Sequence, residues 1–178
     1  MFERTLGELR LAQVDAELRR EIVALLPDLR GFARFLVRDR VMADDVVQDT
    51  LVRALAALHQ FEAGTNLKAW LFTILRNQFY EQARRRKREM EAMSARFDEE
   101  EGASPAQLAR AEITELQVLI WKLPPLLREA LILVGAQEMS HDQAAAVCQV
   151  PVGTMKARLS RARTALAKLA GDAETDIA

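Results

Sequence analysis

Val150-Pro151-Val152-Gly153-Thr154-Met155-Lys156-Ala157-Arg158-Leu159-Ser160-Arg161-Ala162-Arg163 is the stretch on which the reading of the fold turns. Met155, Leu159 and Ala162, followed by Leu166 and Leu169, recur at spacings of four and three. At about 100° per residue they fall in one narrow apolar stripe of a helix. Thr154, Ala157, Ser160 and Arg161 then point roughly the other way, with Lys156, Arg158 and Arg163 on the flanks. The stretch lies within Gln143 to Gly171, 29 residues with five basic side chains and no acidic one. The formal charge of the whole chain is only -1, so this positive charge is local. Upstream, Ser140 is placed to cap a short helix from His141 to Cys148. Gln149-Val150 make a turn, and Pro151 opens a helix running to about Ala170. A short helix, a turn, and a helix apolar on one side and basic on the other suit the DNA major groove. Flanking cations would neutralise phosphates, Arg161 could contact guanine bidentately, and Ala157 could touch a thymine methyl. The competing reading is a solvated cationic surface helix; the preceding helix, the turn and the absence of acids favour DNA. Gln149 stands where such turns often have glycine, and a positive φ there would carry roughly 1 kcal/mol of strain.

A length of 178 residues allows one domain or two small ones. Half the residues are hydrophobic and 29% are charged, as in a soluble globular protein. The single cysteine, Cys148, rules out an internal disulfide and fits a reducing compartment. The N-terminus lacks a secretory leader pattern, and no apolar run approaches the roughly 20 residues that span a bilayer. The expectation is a cytoplasmic protein without membrane insertion. Charge alternates in blocks along the chain. Asp44, Asp45 and Asp49 make an acidic patch, and Arg84-Arg85-Arg86-Lys87-Arg88 a basic run. From Glu89 to Glu112 there are seven acids against two arginines. Such blocks imply several partners, or one partner met at several places.

Helical spacing runs through the chain and strand alternation is almost absent. Asp15 to Leu26 and Asp28 to Val37 read as helices meeting near Pro27, or as one helix that tolerates the proline. Ala43 to Leu58 carries Val46, Val47, Leu51, Leu55 and Leu58 on one side. Phe61 to Leu67, with Gly64-Thr65-Asn66, is a loop, and Asn66 can cap a helix from about Leu67 past Arg84. Polar, acidic Ser94 to Ala111, with Gly102 and Pro105, reads as an interdomain linker. Ala106 to Lys122 and Pro125 to Val134 are further helices. The expected fold class is all-α, with two small helical domains and a flexible acidic linker. The divisions are an N-terminal extension (1–16), a first domain (17–93), the linker (94–111), a helix-turn-helix domain (112–170) and a tail (171–178).

Phe61, Trp70, Phe72, Phe79 and Tyr80, five of the ten aromatics, fall within twenty residues directly before the basic run. Aromatics beside cations suit single-stranded nucleic acid, where bases stack on rings and the backbone meets charge. Gly64-Thr65-Asn66 could cup an unstacked base, whose extraction costs a few kcal/mol. For Trp70 and Phe79 individually, a place in the core is the stronger reading. The basic run could also be a helix end favoured by the dipole.

At these residues the chain resembles a known family. Ala43-Asp44-Asp45-Val46-Val47-Gln48-Asp49-Thr50-Leu51 and Ala69-Trp70-Leu71-Phe72-Thr73-Ile74-Leu75-Arg76-Asn77 look like region 2 of a bacterial RNA polymerase sigma factor. Leu123-Pro124-Pro125, Arg128-Glu129-Ala130-Leu131 and Val152 to Leu159 look like region 4. Only a short acidic linker separates the blocks, the layout of the extracytoplasmic-function (ECF) group. Arg128 to Ala136 and Gly64 to Tyr80 look most like its EcfG-type general stress members.

The resemblance implies roles. Asp44, Asp45, Gln48 and Asp49 would dock on the β′ clamp helices of core polymerase, with region 4 meeting the β flap. Gly64, Thr65, Asn66 and Asn77 would capture a flipped base of the −10 element, with Arg84, Arg85, Arg86, Lys87 and Arg88 near the promoter backbone. Thr154, Lys156, Ala157, Arg158, Ser160 and Arg161 would serve the −35 element. The subgroup implies a NepR-type anti-sigma factor and a PhyR-type response regulator with a sigma-like decoy domain. No catalytic residue, metal site or cofactor is expected, since there is no phosphate-binding glycine loop and no metal-ligand cluster. The alternatives are a stand-alone helix-turn-helix regulator and a decoy that only sequesters an anti-sigma factor.

Overall fold

Leu25 interrupts the first helical segment, and the interruption sets the geometry of the N-terminal half. The computed structural model describes residues 15–62, 64–94 and 115–175, and among these there is no strand. Helix α1 covers 15–24 and α2 covers Leu26–Leu36. Pro27 lies in the first turn of α2, where its missing N–H costs nothing. Helix α3, Arg40–Ala56, begins three residues before the expected Ala43 because the Asp39 carboxylate accepts from Met42 N at 2.8 Å. A 3₁₀ turn, Leu58–Gln60, leads through the loop to α4, Leu67–Ser94. At 28 residues α4 is about 42 Å long. Its first half buries Leu67, Leu71, Phe72 and Leu75 against α2 and α3, with Phe32 stacked on Phe72 at 5.0 Å between ring centres.

The C-terminal half contains α5 (Glu115–Lys122), α6 (Pro125–Leu131), α7 (His141–Cys148) and α8 (Val152–Thr175). Helix α6 runs on as a π turn over Ile132–Ala136, with Gln137 N bonding back to Ile132 O. The expected Ser140 cap is a full capping box, with Gln143 N donating to Ser140 Oγ and Ser140 N to Gln143 Oε1. Gln149 adopts φ 55, ψ 46, so the strained turn is real. Val150 N reaches Ala145 O and Gln149 N reaches Ala146 O, the Schellman pairing that closes a helix end. Pro151 stands just outside α8 rather than inside it, its carbonyl accepting from Thr154 N and Met155 N. Helix α8 continues to Thr175, past the expected end at Ala170 and through most of the expected tail.

Helix α4 packs on α7 and α2 on α6, and the buried side chains of both halves form one hydrophobic cluster. The linker expected over 94–111 lies outside the described residues except for Ser94, which ends α4. Most of the expected extension, residues 1–14, lies outside them too. Among the described residues no helix is long and apolar enough to cross a membrane.

Candidate nucleic-acid interface

The acidic patch on α3 divides between two directions. Asp45, Gln48 and Asp49 line a groove whose other wall is Gln82, Arg85, Arg86 and Glu89 of α4. Asp49 Oδ2 accepts from Gln82 Nε2 at 2.9 Å and Gln78 Nε2 at 3.3 Å. Asp44, one residue and therefore about 100° away from Asp45, faces α2 instead, 3.8 Å from Arg30 Nε. The four expected residues span an arc of about 140° on α3, with Asp45, Gln48 and Asp49 lining the groove and Asp44 at its margin, about 40° from Gln48.

Helical geometry also splits the basic run. Asn77, Arg84 and Arg88 lie seven and eleven residues apart along α4, within about 20° of one face. Arg86 is on the opposite face, its Nη1 3.5 Å from Met42 Sδ on α3. Arg85 pairs with Glu89 at 2.8 Å and Lys87 with Glu91 at 3.7 Å. Arg84 and Arg88 therefore continue the face that begins at the Gly64-Thr65-Asn66 loop, while Arg85 and Arg86 border the acidic groove.

In the loop, Gly64 has φ +92, a conformation that admits glycine readily. Thr65 Oγ1 donates to Glu62 O, and Asn66 Oδ1 accepts from Ala69 N, so Asn66 caps α4 as expected. Gly64, Thr65, Asn66 and Asn77 are exposed. Behind the loop, Phe61 and Trp70 meet at 5.3 Å and are half-buried, as the core reading of Trp70 anticipates.

On α8, Met155, Leu159 and Ala162 are buried and form the inward stripe. Lys156, Ala157, Ser160 and Arg161 are exposed, with Arg161 Nε folded onto Ala157 O at 3.2 Å. Thr154 is half-buried. Arg158 differs from the flanking phosphate ligand expected: it is half-buried, and its Nη1 is enclosed without a hydrogen-bond partner. Its charge acts on the Tyr80 hydroxyl and the Cys148 thiol.

Residues 22–89 match the family Sigma-70 region 2, and residues 113–166 match Sigma-70, region 4. The chain is 47% identical over 152 residues to the ECF RNA polymerase sigma factor EcfG of Rhodopseudomonas palustris, covering 85% of this chain and 84% of that relative. It belongs to the ECF sigma factors. The ECF RNA polymerase sigma factor SigC of Mycobacterium tuberculosis is 34% identical over 163 residues, covering 87% of this chain and 82% of that one. The sigma factor RpoE, solved in complex with the anti-sigma factor NepR from Bartonella quintana, matches with a TM-score of 0.74 and 43% identity. That match covers 87% of this chain and 97% of RpoE.

In this sigma factor the two regions meet through charged contacts that sequence reasoning did not assign. Arg76 of α4 forks onto Glu129 of α6, with Nε to Oε1 at 2.6 Å and Nη2 to Oε2 at 3.3 Å. The Glu129 side chain is 0% exposed and that of Arg76 13%. Burial works against the Arg76 charge, but the Glu129 hydrogen bond and charge outweigh it and raise its pKa. The Arg76 guanidinium also lies 4.7 Å from the centre of the Tyr80 ring. Arg128 Nη1 donates to Phe35 O of α2, and Lys68 Nζ bridges Gln137 O and Asp28. The available signal was Glu129 itself, a charged residue directly before the apolar stretch Ala130 to Val134. Its partner, 53 positions away, could not be read from local spacing.

Proposed function

We propose that this ECF sigma factor binds core polymerase through the Asp45-Gln48-Asp49 groove and directs it to promoters of stress-response genes. The observation that carries the reading is the joining in one chain of two distinct polar surfaces. One runs from Gly64-Thr65-Asn66 along Asn77, Arg84 and Arg88, and the other covers Lys156, Ala157, Ser160 and Arg161 on α8. The first surface meets the −10 element, where the loop is exposed to an unstacked base and cations follow the backbone. The second meets the −35 element as duplex, with Thr154 and Arg158 at its margins. We take 17–93 and 112–170 as the two domains that carry these surfaces.

Asp44 contributes to polymerase docking from the flank of the groove, Arg85 and Arg86 form its basic wall, and Lys87 supports the promoter side. Region 4 meets the β flap. The likeness to EcfG, and to a sigma factor solved with NepR, supports an anti-sigma factor of that type as the regulator. The site of action is the cytoplasm, at the nucleoid when polymerase is bound. No covalent chemistry is assigned to the chain, which acts by spending binding energy on melted DNA. In vitro transcription from a stress promoter with purified core tests this reading. Promoter-specific transcript should appear only when both core and this chain are present. Specific, high-affinity promoter binding by the chain alone would favour a stand-alone regulator, and inactivity on every candidate promoter would favour a decoy.

A further inference from the structure

The two DNA-facing surfaces sit on one packed body, and that packing conflicts with their joint use. The −35 and −10 elements are separated by roughly 25 base pairs, or about 85 Å of duplex at ~3.4 Å per step. A compact chain of this length is only about 40 Å across. One closed body therefore cannot reach both elements. The 20 residues 95–114 that connect the halves have a contour of at most roughly 70 Å, enough to let them separate.

Besides the shared hydrophobic cluster, a buried charge pair joins the halves. Buried Glu129 has Arg76 as its charged partner, and the pair joins α4 to α6. Arg158, a −35 candidate, is half-buried in the same arrangement with its Nη1 enclosed, and its charge acts on Tyr80 of α4. Cys148 of α7, 3% exposed, lies close enough to the pair for both charges to act on its thiol.

We infer that the Arg76–Glu129 ion pair is a latch on the free sigma factor: region 2 stays packed on region 4 while the buried Glu129 carboxylate is matched by Arg76, and opens when it is left unmatched. Opening separates the pair and returns both charges to water. This regulation rests on the proposed assignment of the two DNA surfaces, but the closed state itself does not. Its test uses neither polymerase nor DNA, so failure of the latch and failure of the sigma-factor reading are distinguishable.

The burial asymmetry gives an ordered expectation. Arg76→Met strands a buried carboxylate, whereas Glu129→Met leaves a guanidinium that can reach solvent. Matched apolar replacement of both partners of a buried pair is often neutral or stabilising. Iodoacetamide labelling of Cys148 in the full chain, with small-angle scattering and circular dichroism alongside, reads the closure. Arg76→Met should label on the order of tenfold faster and give a larger radius of gyration, with helicity retained. Glu129→Met should label more slowly than Arg76→Met, and the double variant should return to the slow rate and compact profile. A wild-type rate and profile in Arg76→Met would overturn the latch. Should that variant lose helicity, Arg76→Lys becomes the deciding variant, because it keeps the charge without the fork. An intermediate labelling rate would support the latch, and an unchanged one would overturn it.

Discussion

Asp49 and Gln82 are joined across the α3–α4 groove, Gln82 Nε2 donating to Asp49 Oδ2 at 2.9 Å, with Gln78 donating to the same oxygen. Two amide donors on one oxygen fix the direction in which this carboxylate faces the groove. Asp49 is thus a preorganised acid at the edge of an exposed groove, while Asp44 is directed toward Arg30.

That difference separates the four expected polymerase contacts. Asp45→Lys or Asp49→Lys should weaken core binding on the order of tenfold or more, because each puts a like charge on a complementary surface. Asp44→Lys should have the smaller effect, measured by competition for core against the unmodified chain. Equal losses at Asp44 and Asp49 would mean that the groove is not the docking surface.

The division of the basic run has a salt-dependent signature. In the polymerase-bound complex, Arg84→Ala or Arg88→Ala should lower the slope of log K against log salt by about 0.7–0.9, one phosphate contact each. Arg86→Ala, which faces Met42 on α3, should leave that slope unchanged. Titrations of a promoter fragment at several salt concentrations measure this.

Asn66 serves stability and DNA contact together, and two substitutions separate these duties. Asn66→Ala removes the cap of α4 and should cost about 1 kcal/mol. Asn66→Asp keeps a capping oxygen but presents a negative charge toward DNA. Its melting temperature should match the parent while promoter-dependent transcription falls.

Gln149 holds a left-handed conformation that glycine adopts without strain. Gln149→Gly should stabilise the chain by about 1 kcal/mol, or roughly 2–4 °C in melting temperature. Calorimetry checks the size and sign, and an unchanged or lower melting temperature would mean that the turn is held by more than its backbone.

The Cys148 thiol is pushed up from 9.0 to about 12, first by burial and then by the Glu129 carboxylate. Because the folded state keeps this proton longer than the unfolded chain, the thiol's contribution is complete below about pH 9 and is lost between about pH 9 and 12. Tyr80, raised mainly by its burial, acts in the same direction. Cys148→Ala should flatten the fall of stability across that window relative to the parent, as followed by urea denaturation at stepped pH.

Elements governed by near neighbours were legible. The Ser140 cap, the Asn66 cap, the Gln149 turn and the inward stripe of α8 each depend on residues within a few positions. The start of α3 was misplaced for an equally local reason. The apolar stripe begins only at Val46, whereas the helix begins earlier, at the Asp39 cap. Directions around a helix were legible in principle from 100° steps, and they separate Asp44 from Asp45 and Arg84 from Arg86. Contacts between the halves were not legible. Arg76 with Glu129, Arg128 with Phe35 and the inward turn of Arg158 depend on how α4 and α2 dock on α6 and α7, which no local pattern encodes.

Footprinting one promoter fragment with the chain alone, with core alone and with both separates a polymerase subunit from a stand-alone DNA binder. Protection spanning both the −35 and −10 regions, with unpaired bases reactive near −10, is expected only when chain and core are combined. The same protection by the chain without core would contradict the reading as a polymerase subunit.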